Sequence, residues 1–385
     1  MPWQVMSLLK RIRTAALVIL FLFLTVLPVS AEAVQAPEVS AYAAVLYDPL
    51  SGTVLYARNE TEVLPMASTT KIMTALLAFE SGMAEEPVEV SQEMVTVEGS
   101  SMGLAASDVL TLGAIAQGMM MASGNDGANA IALFLGGDAE SFAAMMNMRA
   151  AEIGMTQTNF VTPSGLDAEG HGSTAYDMAL LAAEAMACPA FAETVGQTAL
   201  TVEFLSPEKT VRYENHNRLL NLYEGCIGVK TGFTKKAGRC LVSAAERDGA
   251  MLICVTLNAP DDWNDHMALY DYGFAQFSER LLPANEVQCS LPVVGGEQTS
   301  VFCCAEEDRT AVLLETAAVD TEVSLPQFIY APVSAGDAVG TVVYRVNGQE
   351  IGRTRLLASA LISVQPDERT EFQKWWDRVI RRIKR

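Results

Sequence analysis

Histidine is scarce in this chain of 385 residues: three occur, at 171, 216 and 266, and no two stand at a spacing that sets both on one metal ion. A zinc-dependent hydrolase is therefore disfavoured. The seven cysteines, at 188, 226, 240, 254, 289, 303 and 304, include no CxxC pair and leave an odd one, so neither a zinc knuckle nor a complete disulfide framework is indicated. Cys240 and Cys254 lie in apolar, strand-like runs and read as small core residues. Cations are few as well: 26 Lys and Arg face 46 Asp and Glu, a formal net charge of -20. Nucleic-acid binding by the body of the protein, which needs clustered cations against phosphate, is not expected. No internal repeat is visible, and 27 Gly with 15 Pro fits neither a collagen-like nor a linker-like polymer.

With 50% apolar and 19% charged residues, the chain can bury a large core, and its length suits two or three domains. Its charge is uneven. Residues 32–365 carry 16 Lys and Arg against 42 Asp and Glu, whereas both ends are cationic. At the N-terminus, Lys10, Arg11 and Arg13 precede the apolar run 14–27, and small residues follow around Ala31 and Ala33. This is the pattern of a cleaved secretory leader, residues 1–31, since 14 apolar residues fall short of the roughly 20 that span a bilayer. At the other end, residues 366–385 place Phe372, Trp375, Trp376, Val379, Ile380 and Ile383 on one helical stripe, with Lys374, Arg378, Arg381, Arg382, Lys384 and Arg385 elsewhere. An apolar face with paired Trp opposite a cationic face suits the headgroup layer of an anionic membrane; a protein partner is the alternative.

Between these ends, residues 41–47 and 53–57 read as a hairpin, and residues 68–79, 110–121, 127–135 and 140–153 as helices. The runs 226–230, 239–245 and 251–257 read as antiparallel strands, followed by a helix over 263–277. Strands from both ends of this stretch enclosing helices from its middle predict one α/β domain over 38–280. A small β-rich domain over 281–365 follows, its clearest hairpin turning at Asn347-Gly348. Met119, Met120 and Met121 are expected in the core.

The chemistry begins at Ser68-Thr69-Thr70-Lys71, where a three-residue step sets a hydroxyl and an amine on one helical face. A lysine can serve a serine nucleophile as base if it is neutral, which burial and a second nearby cation favour. Alone, the pattern is weak, because Ser7 with Lys10 and Ser206 with Lys209 repeat it. Only Ser68 is followed in order by Ser123-Gly124-Asn125, between two helices, and by Lys230-Thr231-Gly232, at the end of a strand. Ser123 could relay a proton and Asn125 orient substrate; Lys230 and Thr231 could meet a carboxylate, and the small Gly232 would let an extended substrate lie along the strand edge.

At these residues the sequence resembles the serine D-alanyl-D-alanine carboxypeptidases, the low-molecular-weight penicillin-binding proteins, and most of all their Gram-positive, sporulation-type branch. The likeness extends through residues 72–77, Glu98-Gly99-Ser100-Ser101, 173–179, Asn215-His216-Asn217-Arg218-Leu219-Leu220 and Phe233-Thr234 with Ala237-Gly238-Arg239-Cys240. It implies a β-lactamase-like catalytic domain, an antiparallel sheet with a helical cluster, then a β-domain and a C-terminal amphipathic membrane helix.

It further implies that Ser68 forms an acyl-enzyme on the terminal D-Ala-D-Ala of a peptidoglycan stem peptide while Lys71 takes its proton. Ser123 would protonate the departing amine, Asn125 would hold peptide and Lys71, and Lys230, Thr231 and Thr234 would bind the terminal carboxylate. The backbone N–H groups of Ser68 and Phe233 would form the oxyanion hole beside Gly232. The resemblance implies no cofactor or metal, covalent inhibition by β-lactams, and a location at the outer face of the cytoplasmic membrane. Gly124 and the missing Glu-x-x-x-Asn spacing in residues 158–177 disfavour a β-lactamase, and the intact Ser68, Lys71 and Lys230 disfavour a non-catalytic wall-binding protein.

Overall fold

The computed structural model describes residues 35–383, the side chain of Asn285 excepted; the expected leader lies outside the described residues. The catalytic half is built on a five-stranded antiparallel sheet in the order Thr53–Arg58, Ala43–Asp48, Ala250–Leu257, Gly238–Arg247, Cys226–Thr234. The N-terminal hairpin thus pairs directly with a strand some 200 residues later in sequence, with Val45 opposite Val255. Alternation along the strands sorts the side chains onto two covered faces. Val45, Val242, Ala244, Ile253 and Val255 face the main helical cluster, while Leu46, Leu241, Leu252 and Cys254 face the helix Asp262–Phe274. Polar residues on that second face are paired: Ser243 Oγ lies 2.6 Å from His266 Nδ1, and Thr256 Oγ1 lies 2.9 Å from its Nε2. Burial holds this imidazole neutral, its pKa lowered to about 3. His266 is thus a satisfied core residue.

The helical cluster comprises Lys71–Glu80, Leu112–Ala122, Asn125–Gly136, Ala139–Ile153 and Ala175–Ala187. Side-chain caps fix several starts: Thr111, Asp138 and Thr174 each accept a hydrogen bond from the backbone N–H three residues on. The cap at Thr111 also explains a difference from the sequence reading. Residues 110–111 are not helical; Val109–Thr111 is a strand paired with Pro87–Glu89, and the helix starts at Leu112. Met119, Met120 and Met121 are buried in this cluster, as expected.

The helix expected over 263–277 stops at Phe274, and Phe277–Leu282 is a strand paired with Arg309–Leu314. That pairing crosses the expected boundary at residue 280 and ties the two domains together. The rest of the β-domain is a six-stranded sheet with its own core around Leu291, Val301, Val342 and Leu356. Its hairpin Ala338–Val346 to Gln349–Ala358 turns at Asn347 and Gly348, both in the left-handed region that such a turn requires (φ 49° and 78°). The chain ends in the helix Glu371–Ile383, none of whose residues is buried. Phe372, Trp375 and Trp376 cluster on its exposed apolar side. No single helix among the described residues is long and apolar enough to cross a membrane.

Candidate active site

Ser68 lies in a short 3-10 turn, Ala67–Thr70, that leads into the helix Lys71–Glu80. Ala67, just before it, is held in the left-handed region (φ 48°), an uncommon state for a residue with a Cβ. The edge strand Cys226–Thr234 presses against this turn. A Cβ at Gly232 would stand 3.0 Å from the Ser68 backbone N and 3.1 Å from Met66 O, so close approach to the nucleophile turn, as well as room for substrate, requires glycine there.

Lys71 is fully buried, and its Nζ lies 2.9 Å from Ser68 Oγ, 2.7 Å from Asn125 Oδ1 and 2.7 Å from the Ser164 carbonyl. A neutral amine has two N–H donors and one lone pair. Donation to Asn125 and Ser164 leaves that lone pair to accept from the Ser68 hydroxyl. The electrostatics favour the neutral form: burial lowers the Lys71 pKa well below its ordinary value, the Lys230 charge lowers it further, and Asp126 opposes both. Lys230 is itself 2% exposed, donates to the Thr231 carbonyl at 3.0 Å, and is lowered by burial to about 7.

Ser123 ends the helix Leu112–Ala122 in the left-handed region (φ 57°), Gly124 caps the next helix, and Asn125 is that helix's first residue. The reversal between the helices aims Ser123 into the cleft while Asn125 reaches Lys71. A cleft of about 420 Å³ is lined by Ser68, Ser100, Ser123, His216, Arg218, Thr231, Gly232, Phe233, Arg239, Asp262 and Trp263. Phe233 stands at its mouth, 67% exposed. Another cleft of similar size, about 440 Å³, lies between Tyr47, Leu180, Met251 and Gln349 and holds none of these groups.

The structure therefore brings Ser68, Lys71, Ser123, Asn125, Thr231, Gly232 and Phe233 together, with Lys230 buried behind them. Thr234 differs. Its hydroxyl donates to Asp167 at 3.2 Å and accepts from the Ala237 N–H, and it does not line the cleft. Two groups near the site carried no sequence signal of their own, the Ser164 carbonyl and the Asp126 carboxylate, whereas the cleft-wall Arg218 and Arg239 lie in the resembling stretches 215–220 and 237–240 with no role assigned to them. Arg239 pairs with Asp262 at 2.6 Å and lies over the Trp263 ring.

A family model described as D-alanyl-D-alanine carboxypeptidase (peptidase S11) matches residues 30–261. The chain belongs to this family. A second model, described as the C-terminal domain of penicillin-binding protein 5, matches residues 278–362. Among relatives, D-alanyl-D-alanine carboxypeptidase DacF of Bacillus subtilis is 32% identical over 333 residues, 83% of this chain and 85% of the relative. DacC of Escherichia coli, also a D-alanyl-D-alanine carboxypeptidase, is 32% identical over 402 residues, 98% of this chain and 96% of the relative. The solved structure of penicillin-binding protein 5 from Haemophilus influenzae superposes with a TM-score of 0.61 at 26% identity, over 86% of this chain and 99% of that one. The chain is thus a catalytic domain of the penicillin-binding fold followed by an all-β domain, and a D-alanyl-D-alanine carboxypeptidase acting on peptidoglycan is the enzyme class.

Proposed function

We propose that Ser68 is the nucleophile of a serine D-alanyl-D-alanine carboxypeptidase that removes the terminal D-alanine from peptidoglycan stem peptides. The observation that carries this reading is the environment of Lys71: a buried amine whose N–H groups are committed elsewhere and whose lone pair faces the Ser68 hydroxyl. Lys71 takes the hydroxyl proton as Oγ attacks the carbonyl between the two D-alanines. The oxyanion then meets the backbone N–H groups of Ser68 and Phe233, each such donor contributing on the order of 3 kcal/mol to transition-state stabilisation.

Ser123, across the cleft, passes a proton to the departing amine, and D-alanine leaves. Asn125 holds the peptide and keeps Lys71 in place. Water then attacks the ester on Ser68 and releases the shortened peptide. The terminal carboxylate is met by Thr231 with the positive field of Lys230, and the wall guanidinium of Arg218 adds to that field, whereas Arg239 is neutralised by Asp262. In this scheme Thr234 and Asp167 close the far end of the strand. A β-lactam enters the same path and is held as an ester on Ser68.

We further propose export, with residues 38–280 as the catalytic unit at the outer face of the cytoplasmic membrane, 281–365 as a spacer, and 366–385 as the membrane contact. The aromatic, uncovered face of the Glu371–Ile383 helix supports the last of these. Mass spectrometry of wild type and Ser68→Ala with diacetyl-Lys-D-Ala-D-Ala and, separately, with penicillin tests the chemistry. Release of one D-alanine and a penicilloyl adduct on the Ser68 peptide, both lost in the mutant, are expected. Wild type giving neither signal refutes it, and an adduct without D-alanine release moves the assignment to transpeptidation.

A further inference from the structure

The residue after Asn125 is a second buried group at the site. Asp126 is 2% exposed, and its carboxylate accepts five hydrogen bonds. Oδ1 accepts from the Met102 and Gly127 N–H groups, each at 2.9 Å. Oδ2 accepts from the Gly103 and Leu104 N–H groups at 3.0 Å and from the Ser101 hydroxyl at 2.6 Å. Four of the five donors belong to residues 101–104. The same segment is held from Asn125, whose N–H donates to the Ser100 carbonyl and whose Nδ2 donates to the Glu98 carbonyl, both at 2.7 Å. Ser100 is a wall of the cleft. One dipeptide, Asn125-Asp126, thus anchors both Lys71 and the wall opposite it.

We propose that Asp126 is a positioning residue for acylation: its carboxylate fixes residues 98–104 as a wall of the cleft, and its charge stands against buried Lys71. The inference rests on the reading of Ser68 as nucleophile and Lys71 as its base. The groups facing Lys71 are Ser68 on the preceding turn, Asn125 and Asp126 at the start of the helix Asn125–Gly136, the Ser164 carbonyl from its loop, and Lys230 from the edge strand. Of these, Lys230 and Asp126 are the charged ones acting on it, with opposite signs. An asparagine keeps the shape but loses the charge, and it turns an N–H pair toward backbone donors that need an acceptor.

The test measures acylation of the full chain by a fluorescent penicillin from pH 5 to 9, together with KM for diacetyl-Lys-D-Ala-D-Ala, in wild type, Asp126→Asn and Ser101→Ala. Acylation needs neutral Lys71, so its rate falls toward acid as that amine protonates. Removing the Asp126 charge makes Lys71 harder to protonate, and the acid limb moves to lower pH by about half a unit or more. The rate above the limb falls about tenfold or more as the wall loosens. Ser101→Ala keeps the charge and removes one donor, so it raises peptide KM and leaves the limb in place. An Asp126→Asn limb coincident with wild type overturns the proposal. So does an unchanged KM in Ser101→Ala, which decides the matter even where Asp126→Asn does not fold. Wild type that takes no label refutes the Ser68 reading instead.

Discussion

Replacing Gly165 with alanine should disable acylation from outside the catalytic set. Gly165 follows Ser164, whose carbonyl receives Lys71, and sits at φ 84° with its α-carbon facing the Ala67 carbonyl. A Cβ there would stand 1.8 Å from Ala67 O and 2.4 Å from Ala67 C, both backbone atoms. Restoring ordinary contact, roughly 3.4 Å between heavy atoms, needs a shift of about 1.5 Å. Ala67 cannot supply it without carrying Ser68 along, so the loop must retreat, and a Lys71 to Ser164 contact of 2.7 Å then exceeds hydrogen-bond range. The left-handed backbone costs an alanine about 1 to 2 kcal/mol and the overpacking about 1 to 3, so a loss of about 2 to 5 kcal/mol is expected. The carbonyl that holds Lys71 moves by more than about 1 Å, and the second-order rate of penicillin acylation should fall about 100-fold in protein that remains folded. Gly154→Ala provides the comparison. Its φ is 92°, yet nothing lies within 4 Å of the added carbon, so it should lose only the backbone strain and acylate normally. Urea unfolding and stopped-flow labelling measure both quantities. Gly165→Ala reacting at the wild-type rate, or Gly154→Ala losing as much activity, would refute the reasoning.

Lys230→Met removes the cation that helps keep Lys71 neutral, so the acid limb of acylation should move to higher pH; a limb that stays put would show that burial alone sets Lys71. His171 gives a stability prediction. Its Nδ1 accepts from the Val161 N–H at 2.9 Å and its Nε2 lies 3.0 Å from Thr70 Oγ1, and burial lowers its pKa to about 4 from the ordinary 6.5. The unfolded chain therefore binds the proton first, and roughly 3 kcal/mol present above pH 6.5 is lost as pH falls toward 4. Urea midpoints at pH 7.5 and 4.5 should differ less in His171→Gln than in wild type, and an equal difference would count against it. Deleting residues 366–385 should release the protein from anionic vesicles in a sedimentation assay, and continued sedimentation would assign the contact elsewhere.

How far the sequence could be read depended on which atoms do the work. In the proposed mechanism Ser68, Lys71, Ser123 and Asn125 act through side chains, so two of the three ordered motifs point to them. Ser164 acts through its carbonyl, which leaves no trace in residue type, and only the folded loop shows it. Asp126 looks in sequence like an ordinary acid in the first turn of a helix, and its five donors come from residues 101–104 and 127. The sheet was legible because apolar runs marked its strands. The hairpin Ala199–Phe204 to Lys209–Glu214 was not, since its turn at Ser206-Pro207-Glu208 reads as a polar loop. For Thr234, motif adjacency does not record that the strand has turned its last hydroxyl toward Asp167.

The two lysines show why the site can exist inside a stable core. Two buried ammonium groups beside one another would oppose folding strongly, through desolvation and mutual repulsion together. The fold avoids holding both charges by giving the two amines different partners. Lys71 has three acceptable contacts as a neutral amine, so losing its proton leaves its hydrogen bonding satisfied. Lys230 has a backbone carbonyl and a pKa lowered by burial to about 7, and its charge, when present, lowers that of Lys71 further. Asp126 limits how far that exclusion goes. The arrangement that relieves the core of one charge is the same one that leaves a lone pair facing Ser68, so in this fold the requirement for stability and the requirement for the proposed base coincide. The left-handed residues Ala67 and Ser123 carry the local strain, each cost of order 1 to 3 kcal/mol, and both sit where they aim a hydroxyl into the cleft.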